Sequence, residues 1–130
     1  MYRNGDTIAI LPSYDINSAN EYADIIIPTG MDLMRNGIVV NTNAVIVIGG
    51  GAGTLSEIAI AWSLFKLILA FNNVDGWGAK LAGQKLDHRI RYEINSVKND
   101  QIYAVNDITE IIPLLSKYIN VYNRTHSGIR

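Results

Sequence analysis

Ala44-Val45-Ile46-Val47-Ile48-Gly49-Gly50-Gly51-Ala52-Gly53-Thr54-Leu55-Ser56-Glu57-Ile58-Ala59-Ile60-Ala61-Trp62-Ser63-Leu64-Phe65 is the stretch that decides how the rest of this chain is read. Its first five residues are apolar and mostly β-branched, the pattern of a strand buried on both faces. A glycine cluster follows, and then Thr54, with Glu57 three residues later, opens an apolar helical run. The order is strand, tight turn, helix start. Such a junction suits an anion, because glycines let the backbone approach a ligand and the first turn of a helix offers free N–H groups and the positive end of its dipole. The expected occupant is a phosphate group held along Gly49, Gly50, Gly51, Ala52, Gly53 and Thr54. The dinucleotide fingerprint does not fit, since Thr54 stands where it requires a third glycine, and no Gly-Lys-Ser/Thr marks a P-loop. A plainer reading stands beside the first: the glycines serve only a tight turn, and Thr54 with Glu57 forms a capping box.

Composition sets the outer limits. A chain of 130 residues, 48% hydrophobic and 18% charged, fits a single globular domain over residues 1–130. A net charge of −1 gives no electrostatic case for a nucleic-acid partner. No run approaches the roughly 18 apolar residues of a membrane span, and the start, Met1-Tyr2-Arg3-Asn4-Gly5-Asp6, is too polar for a secretory signal, so a cytoplasmic location is expected. There are no cysteines, hence no disulfide framework and no thiolate chemistry. Only His88 and His126 offer imidazole, and neither sits in a ligand-spaced pattern, so no metal site is expected. The basic tail of residues 123–130 reads as a frayed terminus.

Working outward from the glycine loop, Thr7-Ile8-Ala9-Ile10-Leu11 is a short strand stopped by Pro12, and Ala23-Asp24-Ile25-Ile26-Ile27 is a second, ended by Pro28. Thr29 is placed to cap a helix through Met31, Leu33, Met34, Ile38 and Val39. Beyond the central helix, Leu67-Ile68-Leu69-Ala70-Phe71 is a strand, and Asn72-Asn73-Val74-Asp75-Gly76-Trp77-Gly78 leaves it as a loop. A short helix from about Ala79 is interrupted by Gly83, and residues 89–94 look partly helical. Ile102-Tyr103-Ala104-Val105 is the last strand. Asp107 then caps a final helix through Ile111, Ile112, Leu114, Leu115, Tyr118 and Ile119, with Pro113 tolerated or kinking it. Apolar strands alternating with helices imply an α/β fold with an open, mainly parallel, three-layer sheet, in which ligands bind beyond the carboxyl ends of the strands.

With those residues in place the chain resembles a known family. Pro28-Thr29-Gly30-Met31 with Arg35-Asn36, then the run from Gly49 to Glu57, then Gly76-Trp77 and Leu81-Ala82-Gly83, are similar to the Rossmann-like family that includes molybdenum cofactor carrier proteins. Its wider superfamily contains the LOG phosphoribohydrolases, often labelled lysine decarboxylase-like. The resemblance implies a nucleoside monophosphate or a molybdopterin-type compound as ligand. In the LOG branch the glycines and threonine of the motif bind the nucleotide phosphate, the glutamate assists glycosidic cleavage, and an upstream arginine holds the substrate. These roles would fall here to Gly50, Gly51, Gly53, Thr54, Glu57 and Arg35. Two departures point to the carrier-like branch: Gly49 stands where LOG enzymes have proline, and Asn36 where they have lysine. The expected function is therefore binding of a phosphorylated, nucleotide-like ligand. The alternative is a phosphoribohydrolase releasing base and ribose 5-phosphate, with Glu57 and Arg35 as its catalytic residues.

Members of that family ordinarily begin with two further strand-helix units, so the fold is expected to be shortened at its N-terminus. Residues 7–11 should then either close directly against residues 45–48 or be completed by another chain. The helix of residues 54–65 is apolar nearly all round, which predicts burial of its second side in at least a homodimer. Trp77 reads either as a stacking platform or as loop filler, and Asp75 as a position where a dinucleotide site would hold a ribose.

Overall fold

The computed structural model describes residues 4–91 and 99–122. The chain divides into two compact units, residues 1–39 and 40–130. The sequence reading of residues 123–130, and of 92–94 as partly helical, falls outside the described residues; Arg89, Ile90 and Arg91 are not helical.

In the first unit β1 (Ile8–Leu11) pairs in parallel with β2 (Ile25–Pro28), with Ile8 opposite Ile25 and Leu11 opposite Pro28. Pro28 is tolerated because it closes the strand, where its missing N–H leaves no rung unmade. The Thr7 N–H donates to Asp24 Oδ2 at 2.7 Å, and the Asp24 N–H to the Thr7 carbonyl at 2.8 Å, so the ladder is fastened at its entry. At the exit, Thr29 does not cap a long helix. Its hydroxyl donates to the Leu11 carbonyl at 2.6 Å and accepts from the Met31 N–H at 3.2 Å, holding the two strand ends together. Positive φ at Gly30 (63°) and Asp32 (50°) breaks the continuous helix expected over 31–39. It becomes a 3-10 turn, Asp32–Arg35, followed by one α-turn, α1 (Asn36–Val39).

The second unit is an α/β sandwich built on a parallel sheet of order β3-β4-β5, comprising β3 (Ala44–Val47), β4 (Leu67–Phe71) and β5 (Tyr103–Val105). The other helices are α2 (Ala52–Ser63), α3 (Trp77–Leu81) and α4 (Ile111–Tyr118). β4 is central, and alternate residues face opposite sides, as the two-residue period of a strand requires. Ile68 and Ala70 join Val47, Ile58, Ala61, Trp62 and Ile102 in one core, closed by Leu81 and Leu86. Leu67 and Leu69 join Tyr103, Val105, Ile111 and Tyr122 in the other, closed by Leu114, Leu115 and Tyr118. Each fully buried aliphatic side chain contributes about 1.5–3 kcal/mol relative to exposure. The chain is thus α/β, with parallel strands in two sheets and three layers in the second unit.

The ladder partner of β1 is β2, within the first unit, and that of β3 is β4, within the second. One expectation is corrected here. Helix α2 starts at Ala52, not Thr54; its N-cap is Gly51, and no side chain caps it, so the Thr54–Glu57 capping box is not formed. On α2, Ile58 and Ala61 are 0% exposed and Trp62 is 1%, while the half-buried Ile60 packs against the same core. α2 ends with Phe65 at φ 60°, where the Phe65 N–H bonds the Trp62 carbonyl and the Lys66 N–H the Ala61 carbonyl. This is a Schellman closure with a phenylalanine in the place usually held by glycine.

A buried polar cluster ties the second unit together. Arg91, fully buried, donates from Nε and Nη2 to the two oxygens of Asp100 at 3.1 and 2.9 Å and from Nη1 to the Lys66 carbonyl at 2.9 Å. Its guanidinium lies 3.5 Å over the Trp62 ring. Tyr122 donates to Asp100 Oδ1 at 2.7 Å and shares a 2.9 Å hydrogen bond with Tyr103. Burial pushes the Tyr103 hydroxyl up to about 12 and raises that of Tyr122 as well.

Candidate functional site

The site is built where the chain leaves β3 and β4. Two loops emerge side by side at the carboxyl ends of these neighbouring parallel strands, and they are joined backbone to backbone. The Trp77 N–H donates to the Gly50 carbonyl at 2.9 Å, and the Gly78 N–H to the Gly49 carbonyl at 3.1 Å. Such close approach leaves no room for side chains. A Cβ on Gly76 would lie 2.6 Å from Gly49 C and Gly50 N, and one on Gly49 would lie 2.9 Å from the Asp75 carbonyl oxygen. Gly49, Gly50 and Gly76 also hold φ values of 64°, 95° and 136°, a region that side-chain-bearing residues rarely enter.

Gly51 and Gly53 are different. A Cβ at either would meet nothing within 4 Å, and neither has a positive φ. The two readings of the loop thus divide by position. Gly49, Gly50 and Gly76 are glycines because the turn demands it, whereas neither a close neighbour nor a positive φ demands glycine at Gly51 or Gly53.

These two open positions lie at the start of α2. Helical bonding begins with the Leu55 N–H donating to the Gly51 carbonyl at 3.0 Å, so the amides of Ala52, Gly53 and Thr54 precede it as first-turn donors without helical acceptors. Thr54, half-buried, sets its side chain against Gly50; a Cβ on Gly50 would collide with it. Ser56 turns inward, its hydroxyl donating to the Gly53 carbonyl at 2.6 Å. Glu57 follows Thr54 by three residues, on the same side of the helix, and is half-buried. Gly49 to Thr54 and Glu57 therefore form one continuous group in the second unit.

Arg35 belongs to the first unit, where it closes the 3-10 turn. Its Nε is buried and has no hydrogen-bond partner among the described residues, an unsatisfied donor of the kind that a bound anion would satisfy. Asn36, which follows it, is buried.

The loop leaving β4 carries residues that pattern reading left undecided. Asp75 presents its carbonyl to Gly49 while its residue surface is exposed. Trp77 is half-buried, and the Lys80 ammonium lies 4.7 Å from its ring centroid. Asn72 and Asn73 donate to the Asn106 side-chain and backbone oxygens at 2.8 and 2.9 Å, fastening the exits of β4 and β5. Sequence reasoning did not single out Lys80; the signal was its spacing of one helical turn from Trp77. Among the described residues no group of three or more His, Cys, Asp or Glu is placed to hold a metal ion, and no helix is long and apolar enough to cross a membrane.

A glycine loop joining a parallel strand to a helix, at the carboxyl end of an α/β sheet, defines a Rossmann-like protein. The chain belongs to the SLOG cluster4 family, whose model matches residues 2–112. An uncharacterized protein of Archaeoglobus fulgidus is 48% identical over 60 residues, covering 45% of this chain and 39% of its own. The X-ray structure of TM1055, a structural genomics target, superposes with a TM-score of 0.70 at 24% identity, covering 88% of this chain and 65% of that one, and shows the shared fold. The molybdenum cofactor binding protein of the phototrophic bacterium Rippkaea orientalis superposes with a TM-score of 0.67 at 31% identity, covering 89% of this chain and 64% of that one. The chain spans less than two thirds of the length of each of these relatives.

Proposed function

We propose that this protein binds a phosphorylated, nucleotide-like small molecule in the manner of a molybdenum cofactor carrier, with the phosphate against the backbone of Gly49, Gly50, Gly51, Ala52, Gly53 and Thr54. The observation that carries this reading is the open space at Gly51 and Gly53 beside the first-turn amides of α2. With no side chain at either position, the backbone there is left open to an approaching oxyanion. The similarity to a molybdenum cofactor binding protein supports a cofactor of that kind as the ligand class, and a nucleoside monophosphate serves as its simplest phosphorylated probe. The residues fit such a phosphate by donor type, since backbone N–H groups carry no charge of their own to neutralise and can all point at one anion.

The test separates stability from binding. Glycine inside a helix is less favourable than alanine by about 0.5–1 kcal/mol, so Gly53→Ala should raise the unfolding free energy by an amount of that order. The same variant should bind adenosine 5′-monophosphate at least tenfold more weakly in calorimetric titration. A variant that is more stable and binds as well as the wild type would remove the ligand from this loop. The catalytic alternative, with Glu57 and Arg35 acting on a nucleoside monophosphate, is addressed by incubation with a panel of such nucleotides. Sustained release of free base, abolished by Glu57→Gln, would replace the binding function with a phosphoribohydrolase.

A further inference from the structure

We infer that Lys80 is the cationic side chain of the proposed phosphate site, held ready on the face of Trp77. This rests on the binding function just proposed.

Two facts bring the start of α3, the helix that carries Lys80, against the loop. The loop leaving β4 is bonded to the glycine loop through the Trp77 N–H to Gly50 and the Gly78 N–H to Gly49, so the first turn of α3 begins against Gly49 and Gly50. Lys80 lies one helical turn beyond Trp77, and its Nζ sits 4.7 Å from the indole centroid. A lysine three residues from an aromatic on one helix shares its face, and the electron-rich ring attracts the ammonium.

The charge inventory shows why a cation is needed. Between residues 44 and 80 the ionisable side chains are Glu57, Lys66, Asp75 and Lys80. Lys66 is buried and immediately precedes β4, at the end of that strand away from the loop. The carboxylate of Glu57, on α2, and that of Asp75, in the loop leaving β4, both repel a phosphate. Lys80 is thus the one cation of this stretch on the loop side of the sheet. Its resting place on an indole face leaves the charge un-neutralised, because no carboxylate pairs with it among the described residues. A salt-bridged lysine would have to break an ion pair before meeting a ligand; one parked on a ring leaves only a weak and exposed contact. The ligand class that follows is one whose anionic group takes a point-charge contact as well as backbone N–H bonds. The glycine loop would then supply shape and Lys80 the charge.

The experiment measures binding of inorganic phosphate and of adenosine 5′-monophosphate to the full chain by calorimetry at low and high salt, for wild type, Lys80→Gln and Lys80→Arg. Lys80 is exposed, so neither substitution disturbs a core. The expected result is nucleotide binding about tenfold weaker in Lys80→Gln, with a shallower salt dependence, and near wild-type binding in Lys80→Arg. If the wild type binds and Lys80→Gln binds equally well with the same salt dependence, Lys80 has no part in the site and only this inference falls. If the wild type binds neither probe, the phosphate site falls and this inference with it.

Discussion

Removing Asp100 should unfold the second unit far more readily than removing Asp100 and Arg91 together. Arg91 is 0% exposed, and two of its hydrogen bonds end on the Asp100 carboxylate, at 2.9 and 3.1 Å. Among the described residues the guanidinium in Asp100→Ala keeps the Lys66 carbonyl and the faces of Trp62 and Tyr122, and its charge has no counter-ion there. Breaking one side of a buried pair typically costs about 3–5 kcal/mol, against a total unfolding free energy of about 5–15 kcal/mol. Tyr122 also loses the acceptor of its 2.7 Å hydrogen bond, which places the expected loss toward the upper part of that range. The double variant Arg91→Met with Asp100→Leu removes both charges and returns apolar volume beside Trp62, so it should lose less than Asp100→Ala alone. Urea unfolding followed by tryptophan fluorescence measures this, because Trp62 and Trp77 both lie in the second unit. A loss below about 1 kcal/mol in Asp100→Ala, or a double variant at least as unstable as the single, would refute the reasoning.

Three shorter predictions test other contacts. Gly76→Ala places a Cβ 2.6 Å from the Gly49 backbone at φ 136°, and should destabilise by about 1–3 kcal/mol, read by thermal unfolding. Because Gly51 caps α2, Thr54→Ala should leave stability within about 0.5 kcal/mol of wild type while weakening nucleotide binding; an equal loss in both would return Thr54 to a structural role. The Trp62 N–H, at 2.8 Å, holds the Asp87 carboxyl below its ordinary value of 3.8, assisted by Arg89. A depressed folded value means the contribution is present above about pH 4 and is lost as pH falls through the folded value. Trp62→Phe should therefore move the Asp87 titration upward in NMR and remove that part of the acid dependence.

The elements the sequence made legible are those whose signal is local. Residues 67–71 form a strand that is buried along nearly its whole length, and their apolar character on both faces announced it. Pro113 sits at the third position of α4, inside the first turn, where its missing N–H breaks no helical bond, so that helix was readable despite the proline. The glycine loop was visible as a loop, but not which glycines the turn itself requires. That distinction depends on the approach of Asp75 and Gly76 from another strand, some 25 residues away in sequence. The start of α2 was misplaced for a related reason: Ala52 and Gly53 carry no capping chemistry, so Thr54 drew the boundary to itself. Its end was obscured because Phe65, not a glycine, takes the left-handed position. Arg91 and Asp100 lie nine residues apart with nothing in their neighbours to announce burial; their pairing exists only once Trp62, Lys66 and Tyr122 converge on them.

The pairing of the two loops by main-chain bonds bears on how a ligand would be received. Where Trp77 and Gly78 donate to Gly50 and Gly49, the backbone is fastened before anything arrives. A phosphate meeting such a surface has no loop to order, so its association should carry little conformational entropy loss from the protein. Little apolar area is covered at an amide-lined turn, so the heat-capacity change should be small. The loop would then act as a fixed mould, and differences in affinity among ligands would come from what lies beyond the phosphate.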